Sequence, residues 1–523
     1  MALRNMTDEK FIKDLGYDLD GEFCPENITK GYLKDMLQIA IDECPEEEKI
    51  GRMVVGVPEL WLAPDESDKA YESIDTLKKL KSILHDIKNE MPEGSINEIE
   101  TVSEPALACA YYAWKYRENK IKVGSNNPDF NGHMLIIDYG GGTLDINLCK
   151  VTQTGESCEI SVLAQEGAGD NNLEDNDLGI AGYAYMNCVV KEMIGTSDVS
   201  LNKKYELFHQ LEFDLQQRKA KELDPKFKSN ISIESRKKLK DEPFIEDFFE
   251  NKHLTYGILI DVFRRKISVS QYKKEKDSKD AVIDEKLNSI ITTLETIRGK
   301  QVSPKDFDDN LKYVLTGGFC NFILTEMAIK NILGIPINDY GNSRIEGMDM
   351  GSDARRHAIA YGATLVAEGK VKIKRAYKYT LGIYNPETKD EWLAFKKGEE
   401  LRYNEQKYVK RFDRSKPDIF IASEIPCIYY DPKGTGKPLR QPPKSKYKKL
   451  FELSEEDLTK YYRIGFSLDE DERITMYLQE MKEILNENHE RKFETLGNPI
   501  PRMLDSIKEL FDKIRDIGEY EEV

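Results

Sequence analysis

A chain of 523 residues with 33% charged and 39% hydrophobic side chains has room for roughly two to four domains, and no apolar run approaches the ~20 residues of a membrane helix. The net charge of -18 is spread along the chain and not gathered in one tail, which argues against general nucleic-acid binding. Met1–Lys10 is charged and shows no apolar core followed by a small-residue cleavage site, so a cytoplasmic setting is expected.

Eight cysteines (Cys24, Cys44, Cys109, Cys149, Cys158, Cys188, Cys320 and Cys427) form no CxxC pair, and several lie in apolar stretches. They read as reduced core thiols, not as metal ligands or a disulfide framework.

In chain order, Asn27–Cys44 carries Leu33, Met36, Leu37 and Ala40 at helical spacing, and Met53–Val57 is a short buried strand ending at Pro58. Ser103 is placed to cap a helix with Pro105 in its first turn, and Leu107, Ala110, Tyr111 and Trp114 share one face of it. Met134–Ile137 then reads as a strand, and Leu144, Ile146 and Leu148 alternate with Asp145, Asn147 and Cys149 in a second. A third strand near Ile160–Ala164 completes a meander.

Between the first two strands lies Asp138-Tyr139-Gly140-Gly141-Gly142-Thr143-Leu144-Asp145. Three consecutive glycines permit positive φ and let backbone N–H groups approach a ligand with no Cβ in the way, which is what phosphate oxygens require. A hairpin returns Asp138 and Asp145 to the same end of the sheet. Two carboxylates there suit Mg²⁺, which takes one or two carboxylates together with water and phosphate. Thr143 adds a hydroxyl at the tip. The plainer alternative is a flexible polar turn with its acids in solvent.

Residues from about 180 to 310 read as mainly helical and highly charged, with Tyr272–Lys286 a solvated stretch. Tyr313–Thr316 is a strand running into Gly317-Gly318, and Ile323, Met327, Ile329 and Leu333 mark the helix that follows. Such a turn can accept phosphate or ribose oxygens, or simply allow close strand-to-helix packing.

From Tyr379 to about Leu478 short strands such as Leu381–Tyr384, Asp418–Ala422 and Ile474–Leu478 suggest a β-sandwich. Gly434-Thr435-Gly436-Lys437 is not a P-loop, because Pro438 replaces the required hydroxyl and Asp431 the leading glycine. It reads as an exposed basic loop. Met503, Ile507, Leu510, Phe511 and Ile514 give Pro501–Val523 helical periodicity.

The collinear order of these pieces resembles the Hsp70 (DnaK-type) chaperones of the actin-like ATPase superfamily. "DYGGGTLDINLCKV" is similar to that family's second phosphate motif, "EPALACAYYA" to the acidic helix start before it, and "VLTGGFCNFI" to its adenosine motif. "FCPENITKGYLKDML", "VVGVPELW" and "HAIAYGATLVAEG" resemble the segments around them.

The resemblance implies an α/β actin-like nucleotide-binding fold over 1–370, a peptide-binding β-sandwich over 371–490 and a C-terminal helix over 491–523. Gly140, Gly141, Gly142 and Thr143 would contact the phosphates of ATP or ADP, and Asp138 and Asp145 would hold Mg²⁺ and the hydrolytic water. Glu104 would help polarise that water, although an acid favoured by the helix dipole is the simpler reading of it. Gly317 and Gly318 would border the adenosine. Lys221 falls near the adenine-stacking basic residue, or lies on a solvated helix face.

Departures matter as much. The family's first phosphate motif is absent; Asp14-Leu15-Gly16 is not it, having no apolar strand before it, and the later phosphate-reaching lysine is missing too. One preorganised donor can be worth about 10²- to 10³-fold in rate, so hydrolysis by this chain alone is expected to be weak or absent. The strand at Met53–Val57 would be left with an unpaired edge, which suggests that Met1 is internal to a longer protein. Ile180 stands where glycine is expected, and "GKVKIKRAYK" is basic where the family's interdomain linker is acidic.

The expected function is that of an Hsp70-like, ATP-binding molecular chaperone whose nucleotide state modulates binding of a polypeptide client. A co-chaperone or exchange factor would be its partner, with no nucleic acid and no membrane. The alternatives are a degenerate, non-catalytic Hsp70-like interaction module and another actin-like ATPase, such as a sugar kinase or filament protein.

Overall fold

The computed structural model describes residues 21–43, 50–59, 70–92, 96–117, 130–154, 157–169, 182–218, 224–229, 239–267, 282–307, 311–335, 352–377, 379–385, 390–411, 418–421, 427–431, 451–469, 473–485 and 491–504. The chain is of mixed α/β class and divides into two compact units, Met1–Ile373 and Lys374–Val523.

The first unit is organised by a five-stranded sheet made of β3 (Gly132–Tyr139), β4 (Thr143–Thr154), β5 (Ser157–Gly169), β8 (Leu311–Thr316) and β9 (Val371–Lys374). Its order is β8-β3-β4-β5-β9, with β3 and β8 parallel and β3-β4-β5 an antiparallel meander. "GKVKIKRAYK" is therefore largely an edge strand of this sheet and not a free linker. Hydrogen bonding to a neighbouring strand overrides what its basic composition alone suggests.

Side chains alternate across the sheet, as the period-2 geometry of strands demands. Leu135, Ile137, Tyr139, Leu144, Ile146 and Leu148 enter one core, while Met134, Ile136, Cys149 and Val151 enter the other. By the same alternation Asp138, Asp145 and Asn147 face the second side.

That side is covered by helix Glu104–Arg117 and helix Ser352–Ala367, which belong to the same core. The first of them is buried all round, not on one face as its spacing suggested: Ala106, Ala108, Ala110 and Ala113 are small enough for neighbours to close in on every side. The first side is covered by helices Gly182–Ile194, Tyr256–Lys266, Val282–Arg298 and Ile323–Ile332, whose buried residues complete the larger core.

Strands β1 (Ile50–Val57) and β2 (Ile96–Ser103) form a parallel pair joined through helix Ala70–Glu90, and helix Pro25–Glu43 packs with that helix through Leu37, Ile83 and Ile87. Lys30 and Lys34 both bind Glu90, at 2.6 and 2.8 Å. Among the described residues β1 pairs only with β2. Arg52 on β1 bonds Glu100 and donates to the Val366 carbonyl at 3.2 Å, tying the pair to helix 352–367.

The segment expected to be mainly helical also contains a hairpin, Pro243–Phe249 with Lys252–Thr255. Its two-residue turn, Glu250-Asn251, has both φ values positive, at 46° and 62°. That conformation matches the twist of the flanking strands.

The second unit holds two antiparallel sheets that bury a common core including Leu381, Trp392, Phe395, Ile464, Phe466, Met476 and Leu504. Residues Ile500–Leu504 are a strand on the edge of Ile474–Leu485, with Leu504 paired to Ile474, and not the start of a helix. Leu504 gains burial in the shared core, and Pro501 is tolerated because the strand lies at the edge. The rest of the expected C-terminal helix lies outside the described residues.

Candidate functional site

The hairpin register places Asp138 directly opposite Asp145 and Tyr139 opposite Leu144, so residues 140–143 form the connecting turn. The Gly140 N–H donates to the Thr143 carbonyl at 3.0 Å. None of Gly140, Gly141 and Gly142 has a positive φ, contrary to the expectation from the glycine run. Close approach, not left-handed backbone, accounts for Gly141: a Cβ there would fall 2.5 Å from the ring of Tyr183. Gly142 has open space around it, and among the described residues the amides of Gly141 and Gly142 make no backbone hydrogen bond.

Helix Gly182–Ile194 begins on this turn. The Gly182 N–H donates to the Gly140 carbonyl at 3.1 Å and the Tyr183 N–H to the Gly141 carbonyl at 2.9 Å, satisfying amides that a helix start leaves without partners inside the helix.

On the other flank, Asp138 is the parallel-register partner of Thr316, and the chain turns at Gly317 with φ +81°. A Cβ on Gly317 would lie 2.5 Å from Asp138 Oδ1 and 2.6 Å from the Tyr139 carbonyl carbon and oxygen. Only glycine combines this backbone with this proximity. Phe319 follows, packed edge-on against Tyr139 at 4.9 Å and close beneath Gly182.

Helix 104–117 starts as its sequence indicates, with the Ala106 N–H donating to Ser103 Oγ at 3.3 Å. Asn147 Nδ2 donates to the same hydroxyl at 3.0 Å, fastening β4 to the helix start. Glu104 is thereby brought to the acids of the hairpin. Val57 is the register partner of Ser103, and Glu59, two residues beyond β1 and almost fully buried, lies close enough to Asp145 to push its carboxyl up.

Four carboxylates thus converge. Burial, reinforced by Glu104, raises the Asp138 carboxyl to about 8. Burial also lifts Asp145 well above the usual range, with further upward pushes from Glu104, Asp138 and Glu59, while the Thr143 hydroxyl donates to it and pulls the other way. Burial alone takes Glu104 to about 7. A carboxyl that resists ionisation in this way gains from a positive charge placed next to it.

Among the described residues no group of three His, Cys, Asp or Glu side chains is disposed to hold a metal ion by itself. Hydrated Mg²⁺ needs fewer protein ligands than that. The thiols of Cys24, Cys109, Cys149, Cys158, Cys188 and Cys320 are buried, and Cys320 Sγ donates to the carbonyl of Ile137, the residue before Asp138, at 3.6 Å.

The structure thus gathers Glu104, Asp138, Gly140, Gly141, Gly142, Thr143, Asp145, Gly317 and Gly318 at the carboxyl ends of parallel strands, where open α/β sheets bind ligands. Lys221, Asp14-Leu15-Gly16, Ile180 and Gly434-Thr435-Gly436-Lys437 lie outside the described residues. Glu59, Asn147 and Tyr183 escaped the sequence reading. For Asn147 the signal was its two-residue spacing from Asp145; for Glu59 it was the acid just past a strand end, as at Glu104. Among the described residues no helix is long and apolar enough to cross a membrane. A scan against protein-family models finds no match, and no curated protein matches the sequence.

Proposed function

We propose that the chain is an Hsp70-like, ATP-binding protein of the chaperone type with an actin-like first unit, in which nucleotide state modulates the binding of a polypeptide. The observation that carries this reading is the meeting of three glycine or acid motifs, distant in sequence, at one end of one sheet: the turn 140–142, the helix start at Glu104, and Gly317-Gly318 packed on Asp138.

The donor set fits Mg-ATP. The amides of Gly141 and Gly142, which make no backbone hydrogen bond among the described residues, suit phosphate oxygens, and Asp138 and Asp145 would hold Mg²⁺. The metal held there would supply positive charge to offset that of the phosphates. Thr143 orients the Asp145 carboxylate, and Glu104, brought alongside by the Ser103–Asn147 bond, is placed to accept a proton from a water aimed at the terminal phosphate. Gly317 admits Asp138 and the Tyr139 backbone, and Gly318, with nothing within 4 Å of a Cβ, leaves room for the nucleoside. The two antiparallel sheets of the second unit are the candidate polypeptide-binding element.

Mg-ATP at a hundredfold excess over its Kd is expected to stabilise the protein by about 2.7 kcal/mol, read as a rise in thermal midpoint. ATP and ADP should also give different affinities for an unfolded polypeptide. No thermal shift with either nucleotide would leave the non-catalytic interaction module as the better reading.

A further inference from the structure

Tyr183 is an aromatic residue at the glycine turn that is both fixed and accessible. Its backbone N–H is anchored to the Gly141 carbonyl at 2.9 Å, its ring packs beside Phe208 at 5.7 Å between centroids, and 43% of it remains exposed. The ring meets the turn along one edge: a Cβ built on Gly141 would lie 2.5 Å from Cε2 and 2.8 Å from both Cδ2 and Cζ, the carbon that bears the hydroxyl. The hydroxyl, one bond beyond Cζ, is therefore carried at the glycine turn. Among the described residues it has no hydrogen-bond partner in the protein.

We propose that the Tyr183 hydroxyl is a third phosphate donor of this site, acting beside the amides of Gly141 and Gly142. The proposal rests on the nucleotide-binding reading and extends it. It also assigns separate tasks to two adjacent glycines. Gly141 is required to admit the Tyr183 ring, and Gly142, with nothing within 4 Å of a Cβ, leaves the approach to the phosphate open. A neutral phenol suits this place because it donates to an anion without adding a negative charge to four neighbouring carboxylates.

The test compares the full chain with Tyr183→Phe by calorimetric titration of Mg-ATP and, separately, Mg-tripolyphosphate. A hydrogen bond to a charged group is worth roughly ten- to a hundredfold in affinity, so Tyr183→Phe should weaken both ligands by a similar factor in that range. Its thermal midpoint without ligand should stay within about 1 °C of the wild type, since the ring is kept and the hydroxyl has no partner among the described residues. Equal affinities for wild type and variant would overturn the proposal. So would a loss confined to ATP, which would put the hydroxyl on the nucleoside. A wild type that binds neither ligand would sink the underlying reading, and this one with it.

Discussion

In buffer containing a chelator, the protein is expected to lose stability steadily as pH is raised from about 5 to about 9, and Asp138→Asn is expected to remove much of that loss. Asp138 is buried at 5% exposure and its carboxyl is raised from 3.8 to about 8; Glu104 beside it is raised from 4.5 to about 7. A group whose pKa is higher in the folded than in the unfolded state holds its proton longer in the folded state. The stability it supports is complete below the unfolded value, near 4, and is lost progressively until the pH passes the folded value. Each such group costs roughly 1 kcal/mol per pH unit while only the unfolded chain has ionised it.

Asparagine has the shape of aspartate but no charge to desolvate, so the variant should be more stable than the wild type above pH 8, by roughly 1–3 kcal/mol. Urea midpoints measured at intervals across this range give the comparison. A flat or rising profile for the wild type, or parallel profiles for the two proteins, would contradict the buried carboxylate cluster.

Gly317→Ala is expected to cost roughly 2–4 kcal/mol of folding free energy. The strain of φ +81° in a residue with a Cβ adds to an overpacking cost against the buried Asp138 Oδ1 and against the Tyr139 backbone, which cannot swing aside. Gly318→Ala is the matched control, because nothing lies within 4 Å of its Cβ and its φ is -64°. It should shift stability by less than about 1 kcal/mol. The two variants unfolding at the same urea concentration would mean that Gly317 is not wedged against Asp138.

Much of this site is legible in the sequence because it is local. A strand, three glycines and an alternating strand define the hairpin wherever they occur, and Ser103 caps its helix by contacts within three residues. What escaped depends on partners far along the chain. The helical apolar spacing that starts at Met503 extends the expected helix back to Pro501, yet pairing of 500–504 with 474–478 and burial of Leu504 outweigh it there. The hairpin at 243–255 was hidden because Glu250-Asn251 is an unusual pair for a turn with two positive φ values. Glu59 and Tyr183 belong to no local pattern; only the register of β1 with β2 and the docking of helix 182–194 on the glycine turn bring them to the site. The glycine run itself misled in one respect: its φ values are all negative, and the absence of a Cβ serves a neighbouring ring.

The proposed meeting of phosphate and Mg²⁺ at the turn between Asp138 and Asp145 is decided by titrating ATP, with and without Mg²⁺, into the wild type and Asp145→Asn near pH 8. The expected result is Mg²⁺-dependent binding in the wild type and, in the variant, loss of that dependence with an affinity at least tenfold lower. ATP binding that is equally tight in both proteins and indifferent to Mg²⁺ would contradict the claim.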